Sequence, residues 1–145
     1  EPGRCLVGNA GWLVARVEYI KPGFDKQFVV IDGAMNDLIR PALYQAHHEI
    51  LAVRETTERI TGDLVGPICE SGDFLAADRA LPAVRPGDYV AVRSAGAYGF
   101  SMSSNYNSRR RAAEVMVEGG RVQLVRARET WNDLVRSETL FDTRS

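Results

Sequence analysis

Residues 113–128 read AEVMVEGGRVQLVRAR, two arms of largely alternating side chains on either side of Gly119-Gly120. Alternation with a period of two sends successive side chains to opposite faces of an extended chain. A Gly-Gly pair supplies the positive φ that a two-residue primed turn requires. The stretch predicts a β-hairpin, and with it a mainly β protein.

Working outward, the same signals recur. Residues 13–20 (LVARVEYI) alternate well enough for a half-buried strand, ended by Pro22-Gly23. Residues 28–31 (FVVI) form a short, fully apolar, β-branched run that predicts a buried strand leaving into Asp32-Gly33. Residues 89–93 (YVAVR) follow Arg85-Pro86-Gly87-Asp88, a turn whose proline and glycine set the dihedrals. Residues 48–54 and 63–68 carry weaker strand patterns. Helix signals are short. Residues 37–45 have room for a turn or two, with Pro41 suited to a first helical position. Thr130 with Asp133 three residues on predicts a capped helix through Trp131, Leu134 and Val135. There is no internal repeat, low-complexity tract or linker, so one domain is expected: a Greek-key β-barrel or sandwich with short peripheral helices.

Bulk properties exclude several function classes. The 145 residues are 45% hydrophobic and 26% charged, and 18 basic against 19 acidic residues give a net charge of -1. That balance offers no electrostatic footprint for nucleic acid or anionic membrane. Positive charge is almost all arginine, with only Lys21 and Lys26 as lysines, which favours bidentate carboxylate or phosphate contacts. Cys5 and Cys69 match no metal or redox spacing and read as reduced, cytosolic thiols, with a disulfide between them the other reading. His47 and His48 lack ligand spacing and read as surface residues. No leader and no membrane-spanning run is visible, and the chain begins Glu1-Pro2-Gly3-Arg4 without a methionine, as expected of part of a longer polypeptide.

Four stretches are more polar than strand packing requires. Glu1-Pro2-Gly3-Arg4 combines a Pro-Gly turn with a guanidinium, which suits an anion such as a phosphate and equally suits a surface turn. In residues 36–44 (NDLIRPALY), Arg40 and Tyr44 stand at i and i+4 and would share one helix face, ready to grip a carboxylate. The bland alternative buries Tyr44 and leaves Arg40 in solvent. Residues 66–73 (GPICESGD) set a thiol, two carboxylates and a hydroxyl between glycines. A protonated Cys69 there suits general-acid work, with a neighbouring carboxylate opposing its ionisation; a buried cysteine beside a polar turn is the other reading. In residues 95–107 (AGAYGFSMSSNYN), small residues around Tyr98 allow a ligand to approach the backbone, or Tyr98 is a core residue at a strand end. Arg109-Arg110-Arg111 beyond it reads as a solvated or interface patch.

Taken in order, these four stretches resemble the successive signatures of the fold-type III pyridoxal-phosphate decarboxylases acting on ornithine, diaminopimelate and arginine. The resemblance runs from residue 1 to about Glu138, and Glu70 after Cys69 points to the diaminopimelate branch, since ornithine and arginine relatives usually carry aspartate there. The resemblance implies a C-terminal β-domain of the alanine racemase/decarboxylase type over residues 1–145. Residues 1–12 would be the tail of an N-terminal TIM-type barrel that holds the cofactor on a lysine. It implies a cytoplasmic homodimer with each active site shared across the interface, and decarboxylation of meso-2,6-diaminopimelate to L-lysine and CO2. By the same resemblance Glu1, Pro2, Gly3 and Arg4 lie against the cofactor phosphate, and Arg4 also reaches the substrate. Arg40 and Tyr44 bind substrate, and Tyr98 lies beside cofactor and substrate. Cys69 donates the proton to the carbon that loses CO2, and Glu70 recognises the far amino end, both across the dimer interface. Arg110 and Ala112 depart from the prolines of many relatives. Neither lysine occupies a Schiff-base motif, so residues 1–145 alone are expected neither to hold the cofactor covalently nor to decarboxylate. The competing expectations are a cofactor-free β-barrel binding or regulatory module, or the same chemistry on carboxynorspermidine or ornithine.

Overall fold

The computed structural model describes residues 2–141 and divides into two compact units, the first ending at Ser103 and the second beginning at Ser104. The first unit carries a six-stranded sheet in the order β3-β6-β1-β2-β4-β5. Its strands are β1 (Leu13–Pro22), β2 (Gln27–Ile31), β3 (Ile50–Ala52), β4 (Arg59–Val65), β5 (Phe74–Pro82) and β6 (Tyr89–Val92). All neighbours run antiparallel except β2 and β4, which are parallel and need a long crossover. That crossover contains the short helix α2 (Arg40–Tyr44) and delivers β3 to the opposite edge of the sheet. The two edges then meet: β3 approaches β5, and Arg79 on β5 donates to the carbonyl of His48 and to Nδ1 of His47 (2.9 Å). The result is the barrel-like, mainly β domain that the alternating strands predict.

The core follows from the pleat. Ala15 and Val17 of β1 point inward, and Val29, Ile31, Leu64, Leu75, Leu81, Val90 and Val92 complete a cluster of nearly zero exposure, each large side chain contributing about 1.5–3 kcal/mol on burial. The alternation of β1 breaks between Val17 and Tyr19, where a bulge shifts the register, so Ile20 turns inward and Tyr19 outward. β5 escapes the pattern reading of the sequence altogether. Its middle, Asp78-Arg79, is polar, and Asp78 takes φ 48°, held there by its N–H donating to Asp63 Oδ1 at 2.6 Å. The strand exists because β4 supplies a ladder for it on one side.

In the second unit β7 (Glu114–Glu118) and β8 (Arg121–Arg126) form the predicted hairpin, Glu118 opposite Arg121, with Gly119 at φ 57°. Helix α3 (Trp131–Val135) carries the predicted cap in full: Asp133 N–H donates to Thr130 Oγ1, and Thr130 N–H to Asp133 Oδ2 at 2.7 Å. The arginine run is no simple solvated patch. Arg111 pairs with Glu129 at 3.0 Å and donates to Asn105, while Arg110 lies 4.7 Å from the Trp131 ring. Glu129 is held below the ordinary carboxylate range, chiefly by the Arg111 backbone N–H.

Two local expectations need correction. Pro2-Gly3-Arg4 is not a turn but the start of a one-and-a-half-turn helix, α1 (Pro2–Val7), whose side chains stay exposed; Glu1 lies outside the described residues. Proline at a helix start costs nothing, because its missing N–H has no intrahelical partner there. His48 is not a surface residue: it is 4% exposed, the crossover having drawn it under the edge of the sheet.

Candidate active site

Two crossings bring the polar stretches together. A 3₁₀ turn (Gly8–Ala10) follows α1 and lies directly on residues 95–96: Ala95 N–H donates to Gly11 O at 2.8 Å and Gly96 N–H to Gly8 O at 3.1 Å. The contact is backbone on backbone, since a Cβ on Gly96 would stand 2.0 Å from Val7 O. Arg4 packs along Gly8, whose own Cβ position is 3.3 Å from Arg4 Cγ and 4.0 Å from Ala97. The N-terminal arginine and the Tyr98 loop are thereby neighbours, though 92 residues of chain lie between Arg4 and Ala97.

Tyr98 itself adopts φ 60°, a conformation a bulky side chain rarely takes and one that costs on the order of 1–3 kcal/mol. The bend aims its ring at α2. There the Arg40 guanidinium lies 5.2 Å from the Tyr98 ring and 5.6 Å from the Tyr44 ring. The i, i+4 spacing places Arg40 and Tyr44 on one face, as the sequence predicts, and Pro41 fixes the first turn of the helix. Tyr44 is exposed, not buried, and Arg40 and Tyr98 are partly so. Three candidate residues from α2 and a distant loop thus form one cluster: a cation held against two phenol-bearing rings, open to a carboxylate or phosphate.

Cys69 and Glu70 occupy a tight turn between β4 and β5, and both are exposed. Cys69 is a free thiol, as is Cys5 on α1. The turn is drawn in by Glu70 N–H donating to Ile68 O (2.8 Å) and Gly72 N–H to Glu70 Oε1 (3.3 Å). Its floor rests on α2 and the segment before it, where the Cβ position of Gly72 meets Met35 Cε at 3.4 Å and Ala42 Cβ at 3.8 Å.

Two polar groups with a structural part here are invisible to pattern reading. His48 Nδ1–H donates to the Arg93 carbonyl (2.8 Å), and its Nε2 is the one buried side-chain nitrogen or oxygen lacking a partner among the described residues. Burial lowers its pKa, and the charges of Arg40, His47 and Arg79 lower it further against the raising effect of the carbonyl, so the ring is neutral and Nδ1 carries the proton. Asp73 is 4% exposed, and its carboxylate accepts from Met35 N–H (2.7 Å) and Ile68 N–H (2.6 Å). The only sequence signal for it is its place in GPICESGD.

The first unit is thus a six-stranded, nearly closed sheet that displays an arginine–tyrosine cluster and a thiol–carboxylate turn. Residues 6–96 match the family model of the pyridoxal-dependent decarboxylase C-terminal sheet domain, and the chain belongs to that family. It is 60% identical over 142 residues to the diaminopimelate decarboxylase of Pseudomonas aeruginosa, covering 97% of this chain and 34% of the relative. The structure of diaminopimelate decarboxylase from M. jannaschii in co-complex with L-lysine superposes with a TM-score of 0.90 at 40% identity, over 94% of this chain and 32% of that one. Diaminopimelate decarboxylase from Helicobacter pylori complexed with L-lysine gives 0.87 at 42% identity, over 93% and 33%. The chain spans about a third of the length of the curated relatives it matches.

The family implies pyridoxal phosphate, and the donors present fit one side of it. Arg4, Arg40 and the Tyr98 hydroxyl are suited to an anion and a ring edge. The covalent anchor is another matter: Lys26 is ion-paired with Asp63 (2.9 Å) just before β2, and Lys21 lies near the end of β1, neither on a segment that carries the cluster. No helix among the described residues is long and apolar enough to cross a membrane.

Proposed function

We propose that the chain is the substrate-recognition and proton-donor part of a diaminopimelate decarboxylase, which removes CO2 from meso-2,6-diaminopimelate to give L-lysine. The observation that carries the reading is the Arg40 guanidinium set against Tyr44 and Tyr98, in a chain 50–60% identical to proteins of that name. The substrate carries two carboxylates and two ammonium groups. Arg40 and Arg4 suit the carboxylates, bidentately and with charge that persists at any working pH. Glu70, exposed beside Cys69, suits the ammonium of the non-reacting end. An aspartate there would fall one methylene short.

Bound pyridoxal phosphate supplies the electron sink that lets the carboxylate leave. This chain's residues orient the substrate, and the Cys69 thiol delivers a proton from Sγ to the carbon that has lost CO2. Pro2, Gly3, Arg4 and Tyr98 contribute to the cofactor's surroundings, and Glu1 is assigned there by resemblance alone. The lysine that holds the cofactor belongs to a preceding barrel domain. The working unit is a cytoplasmic homodimer in which Cys69 and Glu70 serve the partner subunit's site, while Arg40 and Tyr44 serve their own.

The test is Cys69→Ala in the polypeptide that includes the barrel. Turnover should fall by at least about 10²-fold while the cofactor remains bound. Unchanged turnover removes Cys69 from the reaction. The chain of residues 1–145 by itself should give no absorbance of covalently held cofactor and no decarboxylation.

A further inference from the structure

We propose that Asp73 is a positioning residue: its one buried carboxylate fixes the turn that carries Cys69 and Glu70 and ties that turn to the segment entering α2. The inference rests on the roles given above to Cys69 and Glu70, but its geometry is independent of them. The Asp73 side chain is 4% exposed, and no lysine, arginine or histidine is ion-paired with it among the described residues. Burying an unpaired carboxylate is costly unless its oxygens are hydrogen-bonded. Here both are used. Oδ2 accepts from the N–H of Ile68, the residue immediately before Cys69, and Oδ1 accepts from the N–H of Met35, 38 residues back in the chain.

The main chain of the same residue closes the turn from both ends. Gly66 N–H donates to Asp73 O at 3.1 Å, and Asp73 N–H donates to Glu70 O at 3.0 Å. The carboxylate is wedged in place, for a Cβ on Gly66 would stand 2.4 Å from its Oδ2. Gly72 meanwhile rests on Met35 and on Ala42 of α2. Cys69 and Glu70 are therefore strung between two anchors of one side chain, Ile68 before them and Asp73 itself after them. The Met35 bond sets that assembly against the element bearing Arg40 and Tyr44. A proton donor and a recognition carboxylate need such support, because an exposed turn has no packing of its own to hold them. A misplacement of about 1 Å can cost on the order of 10²-fold in rate.

Asp73→Asn keeps the shape but replaces one acceptor oxygen by an amide NH2, which faces either the Met35 or the Ile68 N–H. In the full-length, cofactor-loaded protein, kcat should fall by about 10²-fold with KM changed much less and bound cofactor retained. Independently of turnover, the rate of alkylation of Cys69 by iodoacetamide, read by peptide mass mapping, should change by about threefold or more, while Cys5 on α1 alkylates as before and serves as the internal reference. A folded variant in which Cys69 alkylation and kcat both match the parent overturns the proposal. Should Asp73→Asn fail to fold, amide hydrogen exchange of the unmutated protein decides instead. The Met35 and Ile68 N–H groups should show the same protection, as one opening unit, and protections differing by more than about tenfold overturn it. If Cys69→Ala leaves turnover intact, the decarboxylation reading fails by itself, and the alkylation and exchange results still report whether Asp73 holds the turn.

Discussion

Replacing Arg79 by methionine tests how the sheet closes. β3 and β5 are the free edges, and no backbone ladder joins them. The side chain of Arg79 crosses the seam, donating to the carbonyl of His48 and to Nδ1 of the exposed His47. A hydrogen bond from a charged donor contributes about 1.5–3 kcal/mol where it is shielded, and the exposed one at most about 1 kcal/mol. Against this stands the cost of desolvating the guanidinium, which lowers the Arg79 pKa from its ordinary value. Methionine keeps most of the aliphatic stem, so lost packing is small, but it leaves the His48 carbonyl without its donor. The net expectation is a loss of about 2 kcal/mol, or roughly 8 °C in the melting temperature of a unit this size. Urea denaturation monitored by circular dichroism gives the free energy, and hydrogen exchange should show the loss concentrated in β3 and β5. A change below about 0.5 kcal/mol, or one spread evenly over the sheet, would refute the view that Arg79 staples the seam.

Acid should weaken the same seam. Burial holds the His48 pKa below its ordinary value of 6.5, so its contribution to stability is complete above that value and is lost as pH falls through the lowered one. Imidazole proton resonances and urea midpoints across that window check it, and an ordinary titration near 6.5 contradicts it. Glu70→Asp in the full-length enzyme should lower kcat/KM for diaminopimelate by about tenfold, with equal values undoing the specificity argument. Thr130→Ala removes the cap of α3 and should cost about 1 kcal/mol locally, seen as faster exchange of the Asp133 amide.

What the sequence by itself determined is what depends on neighbours a few residues apart. The 114–126 hairpin, β1, β2 and β6 are written in alternation and turn residues, the α3 cap in Thr130 and Asp133, and the Arg40–Tyr44 face in an i, i+4 spacing. The order of GPICESGD and its companions was enough to carry the family. Only the tertiary structure decided the rest. β5 has a polar middle and becomes a strand because β4 lies ready to ladder with it; β2 and β4 run parallel because the crossover returns the chain to the end of the sheet at which β2 began. His48, two residues before β3, is buried by strands far from it in sequence, and its neutrality follows from that burial and from the arginines around it. The bend at Tyr98 and the grip of Asp73 on Met35 likewise arise from contacts between distant segments. Local periodicity records which face a side chain takes, whereas the desolvation and hydrogen bonding that give a polar group its role depend on what the folded chain places against it.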